Sequence, residues 1–428
     1  MPPTPEIKGW CPGAYAPMAS NDGLLIRAKT IGSRISAAQL SAVAAISEDC
    51  GNGFVDLSQR AQLQIRGLRE ATLCEALPRL EAAGLLPRSA EAERVTNIVA
   101  APLAGLDGGA AFDANAMARA LAEAIEADET LRALPAKFLF AIDDGSALQL
   151  TDVEADISIC ATHSDYVEIR IAGADNLVVV TEPPGAINVA LKLARAFVAL
   201  RDGAFELRRM KRLVVALGAG RVLDKAGLAG APAARPPKAP PPRLLGARQT
   251  DRLFFAGAAA PFGRWRAHDL AQLAELAEAK GKGEARLTPW RAVLIPAENA
   301  DAAQRILDAA RALNLIASHD DPRLSVAACP GAPECPQAKG ETRGALARLA
   351  PLAQKLAGDD GVGLHISGCA KGCARPKSAP VTLIANDGRF DLVEQGRACD
   401  APQLAGLDID AVEQMLVSRA KEHPCPTH

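Results

Sequence analysis

The sequence predicts an α+β fold assembled as a pseudo-twofold duplication, and three observations carry that prediction. At 428 residues the chain is too long for one ordinary core, which points to roughly two to four domains. The stretch Ala231-Pro-Ala-Ala-Arg-Pro-Pro-Lys-Ala-Pro-Pro-Pro-Arg243 has no apolar period and must run extended, so it reads as a linker between two halves. Segments of like pattern recur in the same order on both sides of it, as an internal duplication requires.

Taken in order, residues 23–29 read as a strand, 36–50 carry helical spacing, and 53–67 read as one or two strands. After the linker, 252–257 is the strand, 267–280 the helix, and 283–296 the following strand pattern. Leu57-Ser-Gln-Arg60 and Leu287-Thr-Pro-Trp-Arg291 hold the same place in each unit. Further on, 97–105 is echoed by 326–331, and the strand–turn–strand pattern of 156–170 by 381–393. The competing reading is two unrelated α+β domains. The expected units are 15–85 and 247–315 as paired segments, 90–225 as a first lobe, 228–246 as linker and 320–428 as a second lobe.

Composition is that of an ordinary globular protein, with 49% apolar residues, 23% charged residues and a net charge of -2. No global basic excess points to nucleic acid, and 4% aromatic residues argue against a stacking platform for single strands. The start, Met1 to Trp10, has neither an apolar signal region nor a twin-arginine motif, and runs such as Asn176 to Thr181 are too short to span a bilayer. A cytoplasmic protein with no membrane partner is expected. Gly218-Ala-Gly220 lacks the third glycine and the Lys-Ser/Thr of a phosphate loop, so direct NADH binding is not expected.

Ten cysteines in such a chain read as metal ligands and core thiols rather than disulfides. Cys329 and Cys335 stand at C-x5-C, Cys369 and Cys373 at C-x3-C, with a predicted helix between the pairs from about residue 343 to 357. Soft thiolates suit iron–sulfur clusters or zinc. The absence of a histidine pair and of a C-x2-C knuckle disfavours a zinc ribbon, so a 4Fe–4S cluster is expected. Gly331, Gly340, Gly368 and Gly372 would let backbone amides approach it, and Lys371 and Arg375 would offset its negative charge. The alternative is four buried structural thiols. Cys50, Cys74 and Cys160 read as core, Cys399 and Cys425 as incidental, and Cys11 remains a candidate.

These two cysteine pairs, in the second half of a duplicated chain, resemble the sulfite and nitrite reductase family. The resemblance implies ferredoxin-like half-domains, a 4Fe–4S domain and, in the reductases, a siroheme touching the last cysteine. It also implies four basic residues around a small oxyanion. Arg27 and Lys137 match two of them; Thr96, beside Asn97, and Leu139 stand where the other two would be. Losing a charge-assisted contact in a buried site costs ~1.5–3 kcal/mol, so a reductase built this way should be poor.

One branch of that family acts in aerobic cobalamin synthesis and reduces no oxyanion. Its signature resembles Cys11-Pro-Gly-Ala-Tyr-Ala-Pro-Met18, Asp22-Gly-Leu-Leu-Ile-Arg27 and Leu287-Thr-Pro-Trp-Arg291. This resemblance implies a monooxygenase that uses O2 to hydroxylate precorrin-3A at C20 with closure of a γ-lactone. It further implies a mononuclear non-haem iron, NADH as ultimate reductant and, since no NADH motif is present, an electron-donating reductase partner. The rival readings are a siroheme-dependent sulfite or nitrite reductase and an iron–sulfur electron carrier or sensor.

A tetrapyrrole bears many carboxylates and needs several cations. Arg27, Arg60, Arg66, Lys137, Arg291, Lys371 and Arg375 are candidates, with Arg27 and Lys137 also possible catalytic residues. Alternation along one strand would put Arg60, Gln62, Gln64 and Arg66 on one polar face, unless that face is simply solvated. Ligands of the mononuclear iron stay unassigned. His163-Ser-Asp165 and His319-Asp-Asp321 have H-x-D spacing; His163 and His365 are preferred, with Cys11 and Asp22 weaker.

Overall fold

The computed structural model describes residues 12–162, 165–233, 243–250 and 253–422. Cys11, His163 and most of the proline-rich stretch therefore lie outside the described residues. Within them the chain begins β1 (Met18–Ser20), β2 (Gly23–Ala28), β3 (Arg34–Ser36), α1 (Ala37–Cys50), β4 (Phe54–Leu57), β5 (Leu63–Leu68) and α2 (Glu70–Ala82). The predicted 53–67 segment is thus two strands. Ser36 starts α1 with a reciprocal cap: its hydroxyl accepts from the Gln39 amide at 3.1 Å, and Gln39 Oε1 accepts from the Ser36 amide at 3.0 Å.

A first lobe follows: α3 (Ala90–Val95), β6 (Ile98–Ala100), α4 (Ala114–Ala127), β7 (Phe140–Asp143), β8 (Ile157–Ala161), β9 (Val167–Ile171), β10 (Leu177–Thr181), α5 (Ala186–Arg201), α6 (Met210–Leu217), α7 (Ala219–Ala226) and β11 (Ala231–Pro232). The first two residues of the proline-rich stretch, Ala231 and Pro232, are extended, but they pair with β10 rather than running free. The second half repeats the plan with β12 (Gly246–Gln249), β13 (Phe254–Ala259), β14 (Arg264–Arg266), α8 (Ala267–Ala279), β15 (Glu284–Leu287), β16 (Ala292–Ala297) and α9 (Ala300–Ala312). It ends in β17 (Val326–Ala328), α10 (Leu346–Lys355), β18 (Leu364–Ser367), β19 (Ala379–Asn386), β20 (Arg389–Gly396), β21 (Leu404–Leu407) and α11 (Ile409–Glu422).

The two ferredoxin-like segments are interlocked. The first sheet runs β1-β2-β5-β4-β14 and the second β12-β13-β16-β15-β3, so each is completed by a short strand of the other half. Trp265 of β14 sits opposite Val55, and Ile35 of β3 opposite Ala285. Both segments feed one apolar core, with α1 against α8 and Trp265 fully buried. Trp265→Ala is expected to cost about 3–5 kcal/mol, because the lost side chain anchors a strand shared by both halves. A urea titration followed by far-UV circular dichroism reads that loss.

The lobe sheets repeat each other as well. In β6-β7-β8 and in β17-β18-β19 the strands are parallel, and β9-β10 and β20-β21 continue antiparallel. Ala101 after β6 donates its amide to the Ile142 carbonyl, and Cys329 after β17 donates to Ile366 in the same place. Among the described residues no helix is long and apolar enough to cross a membrane.

Candidate metal centre and convergent arginines

β17 and β18 run parallel and deliver their C-terminal ends, and with them Cys329 and Cys369, to one edge of the second lobe. The backbone of residues 329–342 folds back on that edge: Cys335 donates its amide to Gly331, and Lys339 to the Gly368 carbonyl at 2.9 Å. Gly368 donates its amide to Cys329 Sγ at 3.2 Å. A Cβ on Gly368 would lie 2.6 Å from that of Ala338, so this approach requires glycine. Burial pushes the Cys373 thiol up; Lys371 opposes, and Cys329, Cys369 and Cys335 add to the rise. Cys373 thus lies near enough to the other three sulfurs to feel their charge as thiolates, a charge that bound iron would offset.

Among the described residues no three His, Cys, Asp or Glu side chains close around a single ion position. Four thiolates on one zinc lie within about 4 Å of each other, given Zn–S bonds of ~2.3 Å. A wider thiol set with a backbone amide aimed at one sulfur suits a cluster between them better than a lone ion. The predicted helix between the cysteine pairs is α10. Lys371 is exposed beside Cys373. Arg375 departs from its expected role, because its guanidinium is engaged with Asp360 at 2.8 Å and with the Ser378 carbonyl.

The first sheet presents a polar row that crosses its strands. Arg27 on β2 lies opposite Gln64 on β5, Gln64 opposite Asp56 on β4, and Asp56 opposite Arg264 on β14. Directly opposed residues share a face, and three strand intervals span about 14 Å. At one end Arg27 is buried, at 4% exposure, with no carboxylate within ion-pair distance among the described residues. Its Nη1 donates to Asn97 Oδ1 at 3.4 Å, and its Nε has no partner. Arg60 Nη1 donates to the same oxygen at 3.3 Å, while its Nη2 donates to the Lys137 carbonyl at 3.0 Å. Two guanidinium groups therefore converge on one amide.

The expected polar face along a single strand needs correction. β5 begins at Leu63, so Arg60 and Gln62 belong to the preceding turn, where Ala61 adopts φ 53°. Gln62 is buried and donates to the Thr30 carbonyl at 2.9 Å. Arg66 is committed to Asp22 at 2.8 Å and Asp56 at 3.1 Å. Burial works against Asp22, but the hydrogen bond and charge of Arg66 outweigh it and hold the carboxyl below 3.8. The stability this pair contributes is full above that value and is lost as pH falls through the lower folded value. Arg66→Ala is expected to cost about 3–5 kcal/mol, since it leaves the Asp22 carboxylate without its cation, while Asp56 keeps Arg264. Denaturant titrations at neutral pH and near pH 3 check both statements: the cost shrinks in acid.

At the other end stand two arginines the sequence reading missed. Arg264 pairs with Asp56 at 3.0 Å and with Glu334 at 2.6 Å, yet its Nη2 has no partner. Arg343 lies 4.9 Å over the Phe262 ring with two donors unmet. Burial, then the like charge of Arg264, pulls its guanidinium down to about 10. Arg291 has φ 61°, donates to the Phe262 carbonyl and leaves its Nε without a partner. Its place in the turn matches Ala61, not Arg60: the Arg291 amide donates to Thr288 as that of Ala61 donates to Ser58. Glu334 also ties this end to the cysteine loop through its carboxylate on Arg264, while its carbonyl accepts from the Asn21 amide of the β1–β2 turn at 3.1 Å. The duplication held one signal for Arg264, which occupies in β14 the place of Arg34 in β3; Arg343 gave none.

Lys137 is exposed. Leu139 is buried in an apolar cluster with Val99, Ala141, Leu150 and Ala155, and Thr96 turns its hydroxyl to the Ala92 carbonyl at 2.6 Å. Both positions are therefore packing positions. His319 accepts from the Leu245 amide at 2.9 Å, and the Asp321 side chain is bonded to Arg323, so this H-x-D pair is spent within the fold. Gly218 opens α7 directly after α6, without the preceding strand that a dinucleotide-binding turn requires.

Comparison with known proteins agrees with this architecture. The nitrite/sulfite reductase ferredoxin-like half domain matches residues 16–83 and 246–313, and the nitrite and sulphite reductase 4Fe-4S domain matches 91–230. The second match falls on the first lobe, whose sheet repeats that of the lobe holding the cysteine quartet. A precorrin-3B synthase of Sinorhizobium sp is 29% identical over 92% of this chain and 84% of that protein. A ferredoxin–nitrite reductase of Synechococcus elongatus is 28% identical over 82% of this chain and 74% of that protein. The Mycobacterium tuberculosis NirA protein superposes with a TM-score of 0.70 at 20% identity, covering 95% of this chain and 82% of that one, which supports the fold. With both half-domain repeats and the first lobe matched over more than half of its length, the chain belongs to the nitrite and sulfite reductase family, and with it to the oxidoreductases.

Proposed function

We propose that this chain is an oxygen-dependent oxidoreductase of the precorrin-3B synthase type, which hydroxylates precorrin-3A at C20 with closure of a γ-lactone in cobalamin synthesis. The observation that carries the reading is the polar row from Arg27 to Arg264, flanked by guanidinium donors without partners on Arg27, Arg264, Arg291 and Arg343. Donors spread over about 14 Å suit the many carboxylates of a macrocycle rather than one small oxyanion. Leu139 and Thr96, both engaged in packing, support the same reading.

In this proposal Cys329, Cys335, Cys369 and Cys373 hold a 4Fe–4S cluster, which would pass electrons, and a mononuclear non-haem iron would supply the oxygen chemistry. The protein's own share is to bind and orient. Arg27 and Arg60, converging on Asn97, take one substrate carboxylate, and Arg264 with Arg343 takes another beside the cysteine loop. A macrocycle held at both ends stays in one pose while the C20 hydroxyl forms. Reducing equivalents would come from NADH through a separate reductase.

Incubating the iron-reconstituted protein with precorrin-3A, a reductant and isotopically labelled dioxygen tests the reaction. A product carrying one labelled oxygen and a lactone is expected; unchanged substrate with a fully loaded protein would count against it. The second reading, a siroheme-dependent sulfite or nitrite reductase, is favoured by the similarity to the Synechococcus enzyme.

A further inference from the structure

One buried polar side chain of β18 stands apart. His365 is fully buried, yet neither ring nitrogen has a hydrogen-bond partner among the described residues. Leu364 and Ile366 face the apolar core of the lobe, so alternation turns His365 to the opposite face, beneath the loop joining Cys369 to Cys373. A Cβ built on Gly372, inside that loop, would lie 3.6 Å from His365 Cε1. Thr382, opposite His365 on β19, spends its hydroxyl on the Gly396 carbonyl at 2.8 Å and does not serve the ring.

Burial, then the charge of Arg375, pulls the imidazole down to about 4. It is neutral at ordinary pH, with one N–H to donate. A buried donor without an acceptor is costly, and an apolar residue would fill the space without that cost. What the loop above it would bring is sulfur carrying negative charge.

We infer that His365 donates its ring N–H to a sulfur of the cluster and so tunes the reduction potential. The inference rests on the proposal that the four cysteines hold that cluster. Reduction adds negative charge to the sulfurs, so the hydrogen bond is stronger in the reduced state and raises the potential.

The test compares His365→Phe, His365→Asn and His365→Gln by iron and sulfide content and by an EPR-monitored redox titration. His365→Phe is expected to keep its cluster while the reduced-to-oxidised ratio at the wild-type midpoint falls at least tenfold, about 59 mV for one electron. Asn or Gln, whichever puts its amide at the donating nitrogen, should recover most of that shift. Wild-type protein with isotopically labelled histidine should show nitrogen hyperfine coupling to the reduced cluster, and this measurement decides alone if His365→Phe does not assemble. Full cluster content with an unchanged potential, or the absence of histidine coupling, overturns the inference. So does loss of one iron beyond the cluster without a change in potential, which would make His365 a metal ligand. Wild-type protein without any cluster would overturn the metal-centre reading itself, and the inference with it.

Discussion

Cys335→Ala is expected to abolish the cluster, with loss of its visible absorption and of most bound iron and sulfide. The substitution removes a thiolate but leaves the backbone of its loop intact, since the Cys335 amide donates to Gly331 and its carbonyl accepts from Ala338. The loss would therefore report on ligation rather than on loop folding. Stability should follow, because a cluster holding residues 329–335 to 369–373 binds only the folded chain. The thermal midpoint of the variant should match that of wild-type protein stripped by chelator. A variant that keeps full iron and sulfide content would show that Cys335 is no ligand.

Arg27→Met should move stability and binding in opposite directions. The guanidinium is almost fully buried and meets one amide oxygen and no carboxylate, so the fold bears its desolvation without a matching ion pair. An apolar side chain of similar length relieves that burden by about 1–3 kcal/mol. The same change removes a charge-assisted donor from the proposed carboxylate site, costing ~1.5–3 kcal/mol of affinity, roughly tenfold to 150-fold. Urea titration and binding of an anionic tetrapyrrole read the two effects separately. A destabilised variant with unchanged binding would mean that Arg27 serves the fold alone.

The duplication was legible because its signals are local: apolar periods, a proline-rich break and four cysteines at ligand spacing. The strand exchange was not. β3 and β14 are three residues each, and which sheet such a strand joins is set by tertiary partners rather than by its own pattern. The polar face failed for a related reason. Counting alternate residues from Arg60 to Arg66 assumes one strand, but the turn at Ala61 resets the register. The row that exists runs across strands, and cross-strand register is a product of folding. Arg343, between the cysteine pairs, becomes visible only once Phe262 and Arg264 are placed beside it.

On the proposed function, the arginine-lined face takes a tetrapyrrole as substrate and not as a resident prosthetic group. Extracting anaerobically purified protein with acidified solvent, and recording the spectrum of the extract beside the iron count, tests it most directly. The expected result is no siroheme, a broad iron–sulfur shoulder in the intact protein and more iron than one cluster requires. Siroheme in amounts matching the protein would contradict it and make this chain a reductase with an altered anion site.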